Sequence, residues 1–152
     1  MCSKEPSWPS DLVFECADAV GGLNNVRQQI LSCVRWAIEF RAAIIFPSIR
    51  PRLETNESQS VVHEYSSPRQ LEILFDSQRF VRRLREGCPQ MAIYENSSSV
   101  AKTGHIQPVR DIAIPRGSSN EQVQAFKANW TLQNQGVDGK VRLAKVGRMA
   151  TE

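Results

Sequence analysis

The chain has 152 residues, of which 41% are hydrophobic and 23% charged, with a net charge of +3. That length holds one domain with a core of its own, and the composition is that of an ordinary globular protein. The charge is too small to argue for a nucleic-acid partner, and no apolar run nears the roughly 20 residues that span a bilayer.

Residues Met1 to Ser10 lack the basic-then-apolar pattern of a signal peptide. Residues 1–8 are expected to be disordered, and 9–152 to form the domain. Asp11 to Cys16, with Leu12, Val13 and Phe14 at its centre, reads as a short buried strand. From Leu23 to Phe40 the residues Val26, Ile30, Cys33, Val34, Ala37 and Ile38 recur at helical spacing, while Arg27, Gln28, Arg35 and Glu39 fall off that stripe. The uninterrupted run Ala42 to Phe46, ended by Pro47, reads as a second buried strand. Strand, helix and strand in this order form a βαβ unit with a right-handed crossover.

Residues 50–67 are polar and without period, and read as a loop. A helix is expected over 68–86. Ser67 and Pro68 suit its start, and within that stretch Asp76 is the candidate cap of a second helix bearing Phe80, Val81 and Leu84, stopped by Gly87. Met91 to Tyr94 reads as a third strand. The serine-rich stretch 95–119 is poorly patterned, with a short strand expected around Asp111 to Ile114. Asn120 is the expected cap of a helix over 120–131 carrying Val123, Phe126 and Trp130. Val141 to Val146 alternates as a strand does, and no repeat of 20–50 residues is visible. The pattern predicts an α/β, Rossmann-like three-layer domain with a parallel sheet of at least three strands.

The four cysteines, Cys2, Cys16, Cys33 and Cys88, form no C-x-x-C pair, and the two histidines, His63 and His105, lie far apart. No metal site is expected. Cys33 falls on the apolar stripe and reads as a small core residue. In an oxidising compartment Cys16 and Cys88 are available to pair, which the sequence does not decide. Asn56, Asn96 and Asn129 begin Asn-x-Ser/Thr sequons, a short pattern that chance often produces.

The stretch most suggestive of chemistry is Glu15 to Arg27. Two glycines, Gly21 and Gly22, and two asparagines, Asn24 and Asn25, lie between the first strand and the first helix. Such a turn allows close backbone approach, and the helix N-terminus directs unpaired N–H groups outward. On these residues alone, a tight connection capped by Asn24 is the simpler reading. Neither G-x-G-x-x-G nor the P-loop pattern is present. Arg27, in the first turns of the helix, runs against the dipole and hints at an anionic partner. Glu15 and Asp18 flank the turn as possible bases, although strand-end acids are more often solvated. Arg79, Arg82, Arg83 and Arg85 read as a solvated helix face balanced by Glu72, Asp76 and Glu86.

The run Gly21-Gly-Leu-Asn-Asn-Val-Arg27 resembles the signature Gly-Gly-(Leu/Phe)-Asn-(Asn/Gln)-x-Arg of the GDP-fucose protein O-fucosyltransferase family, in its fungal branch. The resemblance continues to Ala43-Ile-Ile-Phe-Pro-Ser48, weakens at Leu74 to Phe80 and Cys88 to Tyr94, and is poor beyond. It implies the N-terminal half of a GT-B type glycosyltransferase, with the turn facing a cleft between two Rossmann-like domains. By resemblance the substrate-binding residues are Gly21, Gly22, Asn24, Asn25 and Arg27. GDP-fucose is then the donor, and no cofactor is expected. The partners are a nucleotide sugar and an acceptor protein, and the family works in the secretory pathway. No catalytic residue is assigned.

The chain departs from the family in lacking the His-x-Arg motif of the donor-binding second domain and the usual membrane anchor. Its end after Gly147 and Arg148 suggests truncation, so no transfer is expected from it alone. The rival expectations are a non-catalytic fragment or interaction domain, and a different nucleotide- or phosphate-binding Rossmann-like protein.

Overall fold

The computed structural model of the chain describes residues 2, 8, 11–17, 19–20, 23–47, 49–50, 76–113 and 117–146. Of the loop expected over 50–67, Arg50 is described and falls in a strand, while 51–67 and the first part of the helix expected over 68–86 lie outside these residues.

The first strand, β1 (Leu12–Cys16), is apolar on both sides, and Val13 and Phe14 are wholly buried. A strand apolar on both faces must lie inside a covered sheet. β1 is the middle of five parallel strands in the order β5-β3-β1-β7-β6. The others are β3 (Ala43–Ile45), β5 (Ile93–Tyr94), β6 (His105–Pro108) and β7 (Lys140–Val146). β1 pairs with β3 through Phe14 opposite Ile44, and with β7 through Phe14 opposite Ala144. A separate parallel pair joins β2 (Ala19–Val20) to β4 (Ile49–Arg50), tying together the segments that leave β1 and β3.

The helix α1 spans Leu23–Phe40, as its periodicity predicts. Its buried face is wider than the stripe read from sequence, because Trp36 and Phe40 are buried as well. It ends in a Schellman motif. The Ala42 N–H donates to the Ala37 carbonyl at 2.8 Å and the Arg41 N–H to Ile38 at 3.1 Å, with Arg41 at φ 54°. This left-handed residue lets β3 start two residues after the helix.

The helix α2 is Ser77–Gly87. Asp76 caps it by accepting from the Arg79 N–H at 2.9 Å, and the Cys88 N–H closes it on the Leu84 carbonyl. The helix α4 is Asn120–Gln133, and its cap is Ser119 rather than Asn120. The Ser119 hydroxyl accepts from the Gln122 N–H, and the Gln122 side chain accepts from the Ser119 N–H. Asn120 is followed three residues later by Val123, which has no polar group to complete such a box.

Two further elements depart from the sequence reading. A five-residue helix, α3 (Ser97–Ala101), begins at Asn96, whose side chain accepts from the Ser99 N–H. The strand expected around Asp111 to Ile114 falls earlier, as β6, and Ile112 makes only an isolated bridge to Val146. There the Asp111 carboxylate takes the Lys145 N–H that a ladder would use.

The sheet has two unequal faces. Leu12, Phe14, Cys16, Ile44, Ala144 and Val146 pack with α1, α2 and α4. Val13, Ala43, Ile45 and Val141 pack with Val100 of α3. Hence the domain is an α/β, Rossmann-like three-layer fold. The crossovers β1–α1–β3, β3–α2–β5 and β6–α4–β7 all step the same way across the sheet, so their helices share a face. The step from β5 to β6 reverses direction and places α3 on the other face.

At the amino edge, buried Arg142 in β7 holds the start of β1. Its Nε donates to Asp11 Oδ2 at 3.1 Å, and its Nη1 donates to the Asn134 carbonyl at 2.8 Å. Gly136 lies against this pair, where a Cβ would fall 2.6 Å from Asp11 Oδ2.

On the helix face Trp130 meets Phe40 edge-on at 5.3 Å and donates from Nε1 to the Arg110 carbonyl at 2.9 Å. Urea unfolding of Trp130→Ala is expected to show a loss of about 3–5 kcal/mol. Trp130→Phe, which leaves only that carbonyl unpaired, is expected to lose about 1–3 kcal/mol. Gly136→Ala is expected to cost about 1–3 kcal/mol by crowding the ion pair, and the same unfolding curves check it.

Candidate functional site

Because the five strands are parallel, the chain leaves β1, β3 and β5 at one edge of the sheet. Ligands of open parallel sheets bind outside this carboxyl edge. The glycine–asparagine turn follows β1 there. Gly21 and Gly22 lie outside the described residues, as does Asp18. Asn24 and Asn25 occupy the first turn of α1 and Arg27 the next, with Asn24 and Arg27 exposed. The first turn of α1 holds no acidic residue, so its dipole end is not offset by the helix's own side chains. Arg27 makes no ion pair among the described residues. Glu15 is half-buried, and strand alternation puts it on the α3 face with Val13, away from α1.

One cysteine pair spans this turn, and the cysteines pair in a way the sequence reading did not anticipate. Cys16 pairs with Cys33 and Cys2 with Cys88, so Cys16 and Cys88 are not partners and Cys33 is not a free core thiol. Cys16 is the last helix-facing residue of β1, and Cys33 lies on the α1 stripe above it, with Cα atoms 5.8 Å apart. Cys88 sits at the end of α2 on the same face and meets Cys2, with Cα atoms 5.2 Å apart. Of residues 1–8, expected to be disordered, Cys2 and Trp8 are described, and both pack against the helix-face core.

The Cys16–Cys33 bond closes a loop that contains Gly21, Gly22, Asn24, Asn25 and Arg27. By loop-closure entropy, the sequence separation of 17 corresponds to about 3 kcal/mol of stabilisation and that of 86 to about 4.6 kcal/mol. Thus β1 and α1, the elements on either side of Gly21 and Gly22, are joined by a short crosslink, and the segments that leave β1 and β3 by the β2–β4 pair.

A cleft of about 710 Å³ opens at the same edge, where β3 and β5 end beside α2. Connections diverge at this point, since β3 leads to α2 on one face and β5 to α3 on the other. Phe46, on the cleft wall, meets Phe80 at 5.9 Å, and both pack on Val26 and Ile30 of α1. The α1 N-terminal half and the cleft wall therefore share one apolar support. The sequence reading missed the cleft because its walls come from three distant segments. The one local signal was the density of arginines over 79–85.

Among the described residues no group of His, Cys, Asp or Glu is arranged to hold a metal ion, and no helix is long and apolar enough to cross a membrane. Comparison of the chain with known protein families, curated proteins and solved structures finds no match.

Thiol titration of the denatured, unreduced protein is expected to detect no free cysteine, and peptide mapping to recover the Cys2–Cys88 and Cys16–Cys33 pairs. The double substitution Cys16→Ser with Cys33→Ser is expected to lower stability by about 3 kcal/mol. A free thiol at Cys33 in the unreduced protein would contradict the frame described here.

Proposed function

We propose that the chain supplies the first half of a glycosyltransferase that moves fucose from GDP-fucose to a Ser or Thr hydroxyl of a protein. The observation that carries this reading is the position of the Gly21 to Arg27 run. It lies where β1 leaves the centre of a parallel sheet and α1 begins, inside a loop closed by Cys16 and Cys33. The Rossmann-like fold is compatible with one half of a GT-B enzyme. The two disulfides suit an oxidising compartment such as the secretory pathway.

In this reading the α1 N-terminus, Asn24 and Asn25 offer hydrogen bonds to the donor's sugar and diphosphate, and Arg27 offers a positive charge. Gly21 and Gly22 let the donor approach the backbone. The acceptor hydroxyl needs a base. Glu15, on the opposite face of the sheet, is poorly placed for it, and the base is unassigned. Stabilisation of the departing diphosphate is usually the largest catalytic contribution, and the reading gives that task to an arginine of a second domain.

The chain alone is therefore a poor donor site. Hydrogen bonds from neutral groups contribute about 0.5–1.5 kcal/mol each, against about 8 kcal/mol for micromolar affinity. Residues 1–152 incubated with GDP-fucose and an acceptor are expected to give no fucosyl transfer. In a protein that joins them to a donor-binding domain carrying a His-x-Arg motif, transfer is expected, and Asn25→Ala is expected to lower turnover at least tenfold, read as released GDP. Absence of GDP-fucose turnover in the joined protein would reject the transferase and leave a non-catalytic domain. Transfer by residues 1–152 alone, abolished by Asn25→Ala, would reject the division of labour between the domains.

A further inference from the structure

The cleft at the ends of β3 and β5 carries chemistry that the glycosyl-transfer reading does not use. One wall is α2, which presents Arg82 and Arg85 on a shared face. Both are exposed and neither has an ion-pair partner among the described residues. Their neighbour Arg83 differs, since it lies 3.6 Å from Glu86. Two like charges three residues apart repel by a few tenths of a kcal/mol, and in a concave site an anion between them reverses that repulsion. The rest of the cleft is not basic. Phe46, Val81 and Ile93 make an apolar wall, Gln78 and Glu86 of α2 line it too, with Glu86 held by Arg83, and Glu95, directly after β5, adds a second carboxylate at the strand's carboxyl end.

Guanidiniums recognise phosphate oxygens. A carboxylate at the end of a parallel strand accepts from ribose hydroxyls. An aromatic and aliphatic wall suits a planar base. The volume of about 710 Å³ falls within the range of small-ligand sites, about 300–1,000 Å³. The position, where successive crossovers go to opposite faces, is where open parallel sheets bind ligands.

We propose that this cleft binds a nucleotide, with its phosphates on Arg82 and Arg85, its ribose on Glu95 and its base against Phe46, Val81 and Ile93. The inference stands independently of fucosyl transfer. It replaces the view of Arg82 and Arg85 as solvated charges, and keeps that view for Arg79 and Arg83.

The test is calorimetric titration of the disulfide-intact chain with GDP, ADP, guanosine and pyrophosphate at low and at physiological salt. GDP or ADP is expected to bind with a dissociation constant on the order of 0.1–1 mM. Guanosine is expected to bind at least tenfold more weakly than GDP, and affinity is expected to fall with salt. Arg82→Gln with Arg85→Gln is expected to weaken nucleotide binding at least tenfold. Arg79→Gln with Arg83→Gln, which removes the same charge outside the cleft, is expected to change it less than twofold. Glu95→Gln is expected to reduce the preference for GDP over its 2′,3′-dideoxy analogue. Unchanged melting temperatures identify variants that fold.

No nucleotide binding at 10 mM, equal loss from both arginine pairs, or binding indifferent to Arg82 and Arg85 overturns the inference. The two readings fail separately. Nucleotide binding lost in the Arg82/Arg85 variant, with no fucosyl transfer by any joined protein, sustains the cleft and rejects the transferase. Fucosyl transfer with nucleotide affinity unaffected by that variant does the reverse.

Discussion

The burial of β1 on every side governs this domain. Val13 packs toward α3 and Phe14 toward α1 and α4, while β3 and β7 take the backbone groups on either flank. A strand with no solvent face and no free edge cannot be exposed at one flank without stranding N–H and C=O groups. Its partner β7 lies over a hundred residues later, so the centre of the sheet closes only through a long-range pairing. Arg142 and Asp11 bind the amino ends of these two strands, and the Asn134 carbonyl draws the end of α4 into the same knot.

That central placement shapes the carboxyl edge. Among the described residues three helices crowd one face, and the short α3 serves the other. The crosslinks belong to the crowded face. Cys16 and Cys33 join β1 to α1, and Cys2 and Cys88 bring the chain's beginning to the end of α2. Both stabilise by limiting the unfolded chain, and the shorter one also encloses the glycine–asparagine turn. The single reversal in the winding, from β5 back to β6 at the far edge, opens the crevice between β3 and β5.

The glycine–asparagine turn and the cleft of α2 are two features of one edge, supported by the shared packing of Val26, Ile30, Phe46 and Phe80. They differ in chemistry. The turn offers neutral hydrogen-bond donors and a helix dipole, with Arg27 exposed close by. The cleft offers two guanidiniums without an ion-pair partner among the described residues, an apolar surface and two carboxylates. Asn24, Arg27, Arg82, Arg85 and Glu95 are all exposed and take no part in the core, which is filled by Phe14, Phe40, Trp36 and Trp130 on the crowded face.

Local pattern settled much of the architecture. The helical spacing from Val26 to Ile38 determined α1, because a period of 3.6 held over more than three turns admits no other regular structure. The apolar runs around Val13 and Ile44 determined two buried strands, and Asp76 with Gly87 marked the bounds of α2, because caps and stops act within one turn. Trp36 and Phe40 escaped that reading, since the width of a buried face depends on how many helices press on the sheet. α3 and β6 escaped it because elements of four or five residues with at most one buried side chain carry no period. The partners of Cys16 and Cys88, the insertion of β7 between β1 and β6, and the meeting of Phe46, Arg82, Arg85 and Glu95 were decided only by the tertiary structure. Each depends on which face a crossover takes, and that is set by the twist and handedness of the assembled sheet rather than by any neighbouring residues.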